Sequence, residues 1–70
     1  MKRYLIVIEK TDSGYSCYAP DLPGCVASGR TKEEVEQNMF DAIQFHLEGL
    51  EMENFPIPNA YAESEMLVFN

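Results

Sequence analysis

The sequence contains few of the residues that mark a metal site or a disulfide-bonded secreted protein. It has no tryptophan, one histidine and two cysteines among 70 residues. Two cysteines and one histidine that are not paired at metal-ligand spacing give no credible zinc site. Cys17 and Cys25 are expected to be reduced and half-buried, and a disulfide between neighbouring strands is the less favoured alternative.

Long apolar runs are also missing. No stretch reaches the ~20 residues of a membrane span, and the apolar run after Lys2 and Arg3, residues 4–8, is too short for a signal peptide. The length of 70 residues allows one small domain, residues 1–70. A domain of this size buries only about 60% of its unfolded surface and would gain stability from a partner. We therefore expect a single-domain cytoplasmic protein without a membrane segment.

Basic residues are missing after Lys32. All five lysines and arginines lie in the first 32 positions, where three acidic residues oppose them. From Glu33 onward the chain has nine acidic and no basic residues, which makes the net charge of the whole chain −7. This distribution disfavours nucleic-acid binding, which depends on cationic contacts to phosphate. A solvated acidic helix face is the common explanation, and a cationic partner is the alternative.

Residues 19–34 organise the rest of the chain. Pro20 and Pro23 restrict φ to about −65°, and Gly24 can adopt the positive φ that a tight reversal requires. Asp21, between the two prolines, is expected to brace its own turn through backbone amides. Because it is also expected to be exposed, it remains a candidate contact for a partner.

A short strand and a helix start follow this loop. The strand, residues 25–28, begins at Cys25 and is closed by Gly29. Thr31 and Glu34 form a capping box, in which the threonine hydroxyl accepts from the Glu34 amide and the glutamate reaches back to the Thr31 amide.

The remaining elements follow from periodicity. Residues 3–10 and 15–19 predict a hairpin around a turn in which Gly14 can adopt positive φ. A 3.6-residue apolar stripe predicts a helix over residues 32–51, with Asn54 as a left-handed stop. Residues 65–69 predict a last strand. The predicted fold is α+β with the order β-β-β-α-β, an antiparallel three-stranded meander plus a C-terminal strand, and one helix packed on one face.

Few residues in the sequence support a catalytic role. Metal-dependent nuclease chemistry needs converging carboxylates, but the strands supply only Glu9, and Asp12 and Asp21 lie in different loops. His46 lies on the apolar stripe, where a packed, hydrogen-bonded histidine is the favoured interpretation. Cys25 has no marked base and no helix directly after it, as a nucleophile would need. We predict that the chain is not an enzyme and has no cofactor or metal.

The motifs Pro-Asp-Leu-Pro-Gly-Cys and Gly-x-Thr-x-Glu-Glu within residues 15–34 resemble those of the HicB-like antitoxin family. The resemblance continues through Asn38, Ala42-Ile43, His46-Leu47-Glu48 and Ile57-Pro58, and covers about the first sixty residues. It implies a partial ribonuclease-H-like fold with the last strand beside the first. It also implies a partner, HicA, a small basic toxin that cleaves mRNA. Many HicB proteins carry a C-terminal DNA-binding module that does not occur before Asn70, which makes direct DNA binding doubtful.

Three hypotheses follow. The first is an antitoxin of a type II toxin–antitoxin pair that covers a basic, HicA-like ribonuclease toxin. The second is a stand-alone, oligomeric HicB-like module that binds a protein or ligand and has no toxin, and the third is a weak nuclease, which the missing carboxylates disfavour. One helix covers only one face of a sheet, so we expect a homo-oligomer, most simply a dimer. The candidate partner-binding residues are Asp21, Glu33, Glu36, Asp41, Glu48 and Glu51. The residues assigned to structure are Pro20, Pro23, Gly24, Cys25, Gly29, Thr31, Glu34 and His46.

Overall fold

Three short strands form an antiparallel meander in the computed structural model, which describes residues 2–70. The strands are β1 (Val7–Lys10), β2 (Tyr15–Tyr18) and β3 (Val26–Gly29), in the order β1-β2-β3. A single helix, α1 (Lys32–Met52), follows them. The predicted α+β class and the antiparallel meander are confirmed.

The first strand is shorter than predicted. It begins at Val7, which pairs with Tyr18 at the end of β2, and not at Arg3. Beyond Tyr18 the chain turns away at Pro20, whose nitrogen carries no hydrogen to donate to a ladder. Residues 3–6 therefore have no strand partner within the described chain.

The turn between β1 and β2 closes through a hydrogen bond from the Thr11 amide to the carbonyl of Gly14, at 2.8 Å. Gly14 is not in the left-handed region, contrary to expectation. It is required for space instead, because a Cβ there would collide with the carbonyl oxygen of Gly29. The hairpin turn and the end of β3 thus pack backbone against backbone.

Two successive turns connect β2 to β3. The amide of Leu22 donates to the carbonyl of Ala19 at 3.0 Å, and the amide of Cys25 donates to the carbonyl of Leu22 at 3.1 Å. Each turn has proline at its second position, and Gly24 adopts φ +83° as a type II turn requires. Because the two turns meet at Leu22, its side chain is directed into the interior and is 0% exposed.

Helix α1 is capped at both ends. Thr31 Oγ1 accepts from the Glu34 amide at 3.0 Å, but Glu34 Oε1 accepts from the Arg30 amide at 2.9 Å and not from Thr31 as expected. At the other end Asn54 has φ 58°, and the Phe55 amide donates to the carbonyl of Leu50 at 2.9 Å. This is a Schellman arrangement, and Asn54 is the predicted left-handed stop.

The core lies between α1 and the neighbouring strands. The helix packs most extensively on β3, then on β2. Six apolar side chains between 0 and 5% exposed form the core: Cys17, Ala19, Leu22, Cys25, Val35 and Met39.

The predicted C-terminal strand is not found among the described residues, so the observed order is β-β-β-α. Residues 65–69 have no ladder partner, and the side chains from Met66 to Phe69 are between 74 and 94% exposed. A strand requires a neighbour to pair its N–H and C=O groups. After Ala62 the chain runs in solvent and meets no such edge.

Candidate partner-binding surface

Helix α1 presents one side to solvent because the opposite side is anchored on the sheet. Val35 and Met39 are fully buried beneath it. Asn38 Nδ2 donates to the carbonyl oxygen of Ser28 in β3 at 2.8 Å. These contacts fix the rotation of the helix about its axis and so decide which side chains project outward.

Four of the predicted contact residues share the outward side. Glu33, Asp41, Glu48 and Glu51 are exposed and, at 3.6 residues per turn, lie opposite Val35. The last turn of α1 has no basic residue. We call these four residues the acidic ridge. Such a ridge can attract a cationic surface.

The other two predicted contacts lie elsewhere. Glu36 lines a groove between α1 and the residues that precede β1. Asp21 lies in the β2–β3 connection, where its Oδ2 accepts from the amides of Tyr61 and Ala62, both at 2.9 Å. The expectation that Asp21 braces its own turn is therefore corrected, because it holds a segment some 40 residues away in sequence.

Two aromatic side chains that were not among the predicted contacts flank the acidic ridge. Phe40 is 63% exposed on the flank nearer β1, and Phe45 is 79% exposed on the flank nearer β3. The sequence contains the signal for this, because Phe45 falls off the apolar stripe and Phe40 lies at its margin. Exposed aromatic residues next to charge are common at protein–protein interfaces.

The face of the sheet away from α1 carries an apolar row. Val7 lies opposite Tyr18, and Tyr18 lies opposite Val26. Their neighbours Ile8, Cys17 and Ala27 point to the core side, so alternation directs the row outward. This open face gives the protein a second surface, different in chemistry from the acidic ridge.

The two cysteines belong to the core and are fully buried, where we expected half-burial. Both are free thiols. Burial raises the pKa of each thiol, and for Cys17 the charges of Cys25 and Glu36 raise it further. A thiol with a raised pKa is a poor nucleophile at neutral pH, so the geometry offers no activated cysteine.

His46 is half-buried on α1 and lines a shallow groove beside Cys25, Phe45 and Phe55. None of the hydrogen bonds found within residues 2–70 involves its ring. The expected packing is present in part, whereas the expected hydrogen bond is not seen.

Residues 2–70 contain no group of three or more histidine, cysteine, aspartate or glutamate side chains placed to hold a metal ion. Across the same residues, no helix has the length and apolar character that crossing a membrane requires.

Comparison with known proteins places these features in a family. Residues 4–67 match the model of the HicB-like antitoxin of bacterial toxin–antitoxin systems. A 14.9 kDa protein of Haemophilus phage HP1, from the rep–hol intergenic region, is 40% identical over 81% of this chain; the match spans only 43% of the phage protein. A UPF0150 protein of Thermoplasma acidophilum is 39% identical over 87% of this chain and 90% of its own length.

A solved structure shares both the fold and the sequence pattern. A chain in a complex described as the HicA3 and HicB3 toxin–antitoxin complex superimposes with a TM-score of 0.73 at 37% identity. The superposition covers 86% of this chain and 70% of the other. At this identity the similarity extends beyond a shared arrangement of strands and helix.

Proposed function

Because the chain belongs to the HicB-like antitoxin family of bacterial toxin–antitoxin systems, we propose that it is the antitoxin of a type II pair. In this proposal it binds and inhibits a small, basic, HicA-like toxin that cleaves mRNA. The similarity to a chain of the HicA3–HicB3 complex supports a partner of this class. Membership in an antitoxin family supports the prediction that the chain is not an enzyme.

The observation that carries the proposal is the acidic ridge of α1. A ribonuclease that binds mRNA must present positive charge to phosphate. A rigid row of carboxylates without opposing lysine or arginine after Lys32 can occupy that same surface and exclude RNA. The carboxylates direct the encounter, and Phe45 on one flank supplies an apolar anchor for the bound state.

The proposal places the protein in the cytoplasm, where it meets a toxin that acts on mRNA. In the same proposal, residues 2–70 do not contact DNA, because an acidic surface repels the phosphate backbone of DNA. Asp21 has a smaller role in this scheme than the ridge, since its carboxylate already accepts two backbone hydrogen bonds.

Co-expression tests the function itself. Where a small basic protein is encoded beside this chain, its induction should arrest growth, and co-expression of this chain should restore growth and yield a stable complex on purification. If the neighbouring protein is harmless, or stays toxic beside soluble antitoxin, the antitoxin proposal fails. The alternative of a stand-alone module would then be favoured.

Charge reversal tests the surface separately. Asp41→Lys with Glu48→Lys removes two carboxylates from the ridge. Glu9→Lys with Asp12→Lys makes the same change in net charge at exposed positions away from α1. We expect the ridge variant to bind the toxin at least about tenfold more weakly, chiefly through slower association, and the control to change by less than about threefold. Equal loss in both variants would mean that only net charge matters, and would refute the ridge as the contact surface.

A further inference from the structure

An unfilled groove lies along one side of α1. The helix lies over β3 and β2, so the space between α1 and the residues preceding β1 is not covered by another element of the described chain. This space is a groove of about 440 Å³. Its apolar lining is formed by Tyr4, Ile6, Met39, Phe40, Ile43 and Leu47.

The same side of the molecule has an unpaired sheet edge. In the order β1-β2-β3, β1 has a neighbour on one side only within the described chain. Residues 3–6 continue β1 without a strand partner. An extended segment along this edge would meet the groove with one face. The other face of this segment would lie beside Val7 and extend the apolar row on the sheet face away from α1. Both faces of the added segment would therefore have to be apolar.

The chain itself contains a segment with these properties. Met66, Leu67, Val68 and Phe69 are consecutive, so an extended backbone places apolar side chains on both faces. Each of them is at least 74% exposed. Four extended residues span about 13 Å, the length of a strand such as β1. We call residues 65–69 the tail.

Two sets of hydrogen bonds direct the tail away from the β1 edge of its own chain. Tyr4 Oη donates to the carbonyl of Pro58 at 2.6 Å, so the chain passes the residues that precede β1 at that point. Four residues later, Asp21 holds the Ala62 amide at the β2–β3 connection. The chain has then moved from the residues that precede β1 to the β2–β3 connection. Met66 follows Ala62 by four residues, at most about 14 Å of extended chain, and this stretch would have to reverse direction to return.

We propose that the tail of one copy adds as a fourth strand to the β1 edge of a second copy and fills its groove, and that the exchange is reciprocal. A two-fold dimer then makes each contact twice. Main-chain pairing supplies part of the affinity, and burial of the tail supplies the rest. The proposal does not depend on a toxin. It accounts for an apolar tail, an apolar groove and an open edge with one partner, a second copy of this chain.

Light scattering with matched variants tests this dimer. At micromolar concentration the wild-type protein should have twice the chain mass of 8.0 kDa. Met66→Asp, and Val68→Asp on the same face of the tail, should reduce it to the single-chain mass with unchanged circular dichroism. The control Met52→Asp changes the same residue type at a comparably exposed helix position and should remain dimeric. A monomeric wild type, dimeric tail variants, or dissociation of all three variants would overturn the proposal.

A spin label distinguishes exchange between copies from folding back within one copy. Asn70→Cys introduces an accessible thiol, whereas Cys17 and Cys25 are buried. Spin-labelled chains are mixed with ¹⁵N-labelled chains that carry no spin label. We expect broadening of β1 amides in the ¹⁵N-labelled copy. A second sample contains chains that carry both the spin label and ¹⁵N, diluted into unlabelled chains. If the β1 amides broaden in this second sample and not in the mixture, the tail folds onto its own edge, which would refute the exchange.

Discussion

The β2–β3 connection and the tail each contain a leucine, and the two leucines differ completely in burial. Leu22 of the connection is 0% exposed, whereas Leu67 of the tail is 74% exposed. The connection contains two prolines and a left-handed Gly24, which fold it back onto the sheet through hydrogen-bonded turns. The tail has no such turn. Apolar side chains of this small protein are therefore buried where hydrogen-bonded turns fold the backbone back onto the core.

Loss of Leu22 should have the largest effect on stability. Leu22→Ala removes a fully buried side chain from between two turns and should lower the free energy of unfolding by about 2–5 kcal/mol. Leu67→Ala should cost less than about 0.5 kcal/mol at concentrations low enough for single chains. Urea denaturation at several protein concentrations measures both. A cost for Leu22→Ala as small as that of Leu67→Ala would refute the contrast between the two regions.

Two glycines differ in their surroundings, since an added Cβ would meet close neighbours at one and open space at the other. Replacing each by alanine gives a second test. A Cβ at Gly29 would lie 2.7 Å from the Val35 nitrogen and 3.0 Å from its Cα, so the start of α1 must shift. Gly29→Ala should therefore destabilise the fold by about 1–3 kcal/mol. A Cβ at Gly49 would meet no heavy atom within 4 Å, and Gly49→Ala should stabilise α1 by up to ~1 kcal/mol. Shifts of the urea midpoint with the same sign would contradict this assignment.

The N-terminal cap of α1 should contribute less. Thr31→Ala removes the acceptor of the Glu34 amide and should cost ~1 kcal/mol. Thr31→Ser keeps the hydroxyl and should restore most of the loss. An unchanged urea midpoint for the alanine variant would mean that the helix does not depend on this cap.

The two buried thiols should have the smallest effect on folding stability, and this effect should be measurable only at high pH. Burial raises the pKa of Cys17 and Cys25 above the ordinary value of 9.0. As pH rises past about 9, the unfolded chain loses its thiol protons before the folded chain does, so stability falls. The urea midpoint should decline more between pH 8 and pH 10 in the wild type than in a Cys17→Ala, Cys25→Ala variant. Parallel declines would show that the thiols do not contribute.

The sequence predicted well where neighbouring residues decide the structure. Pro23 and Gly24 determine their own turn, Thr31 caps a helix three residues away, and Asn54 ends it, because each interaction spans a few residues. Prediction failed where the partner is distant. Asp21 holds residues some 40 positions away, and Gly14 is needed for its contact with Gly29, not for a left-handed turn.

The candidate surface shows the same division between features that nearby residues decide and features that distant contacts decide. The acidic residues of α1 and the position of Phe45 off the apolar stripe can be read from periodicity. Their common outward orientation depends on how Val35, Met39 and Asn38 dock on the sheet. Periodicity alone could not separate Glu36, which lines the groove, from Glu33 and Asp41 on the ridge.

The meander, the capped helix, the family and the charge imbalance can all be predicted from the sequence, because they depend on local backbone preferences and on residue type. Three other features became visible only in the folded molecule: where β1 begins, what Asp21 binds, and the lack of a partner for residues 65–69 within the described chain. Those outcomes depend on which distant groups meet in space. Apolar character can predict that a strand will form, but strand pairing requires a free edge within reach, and its position is a property of the folded molecule.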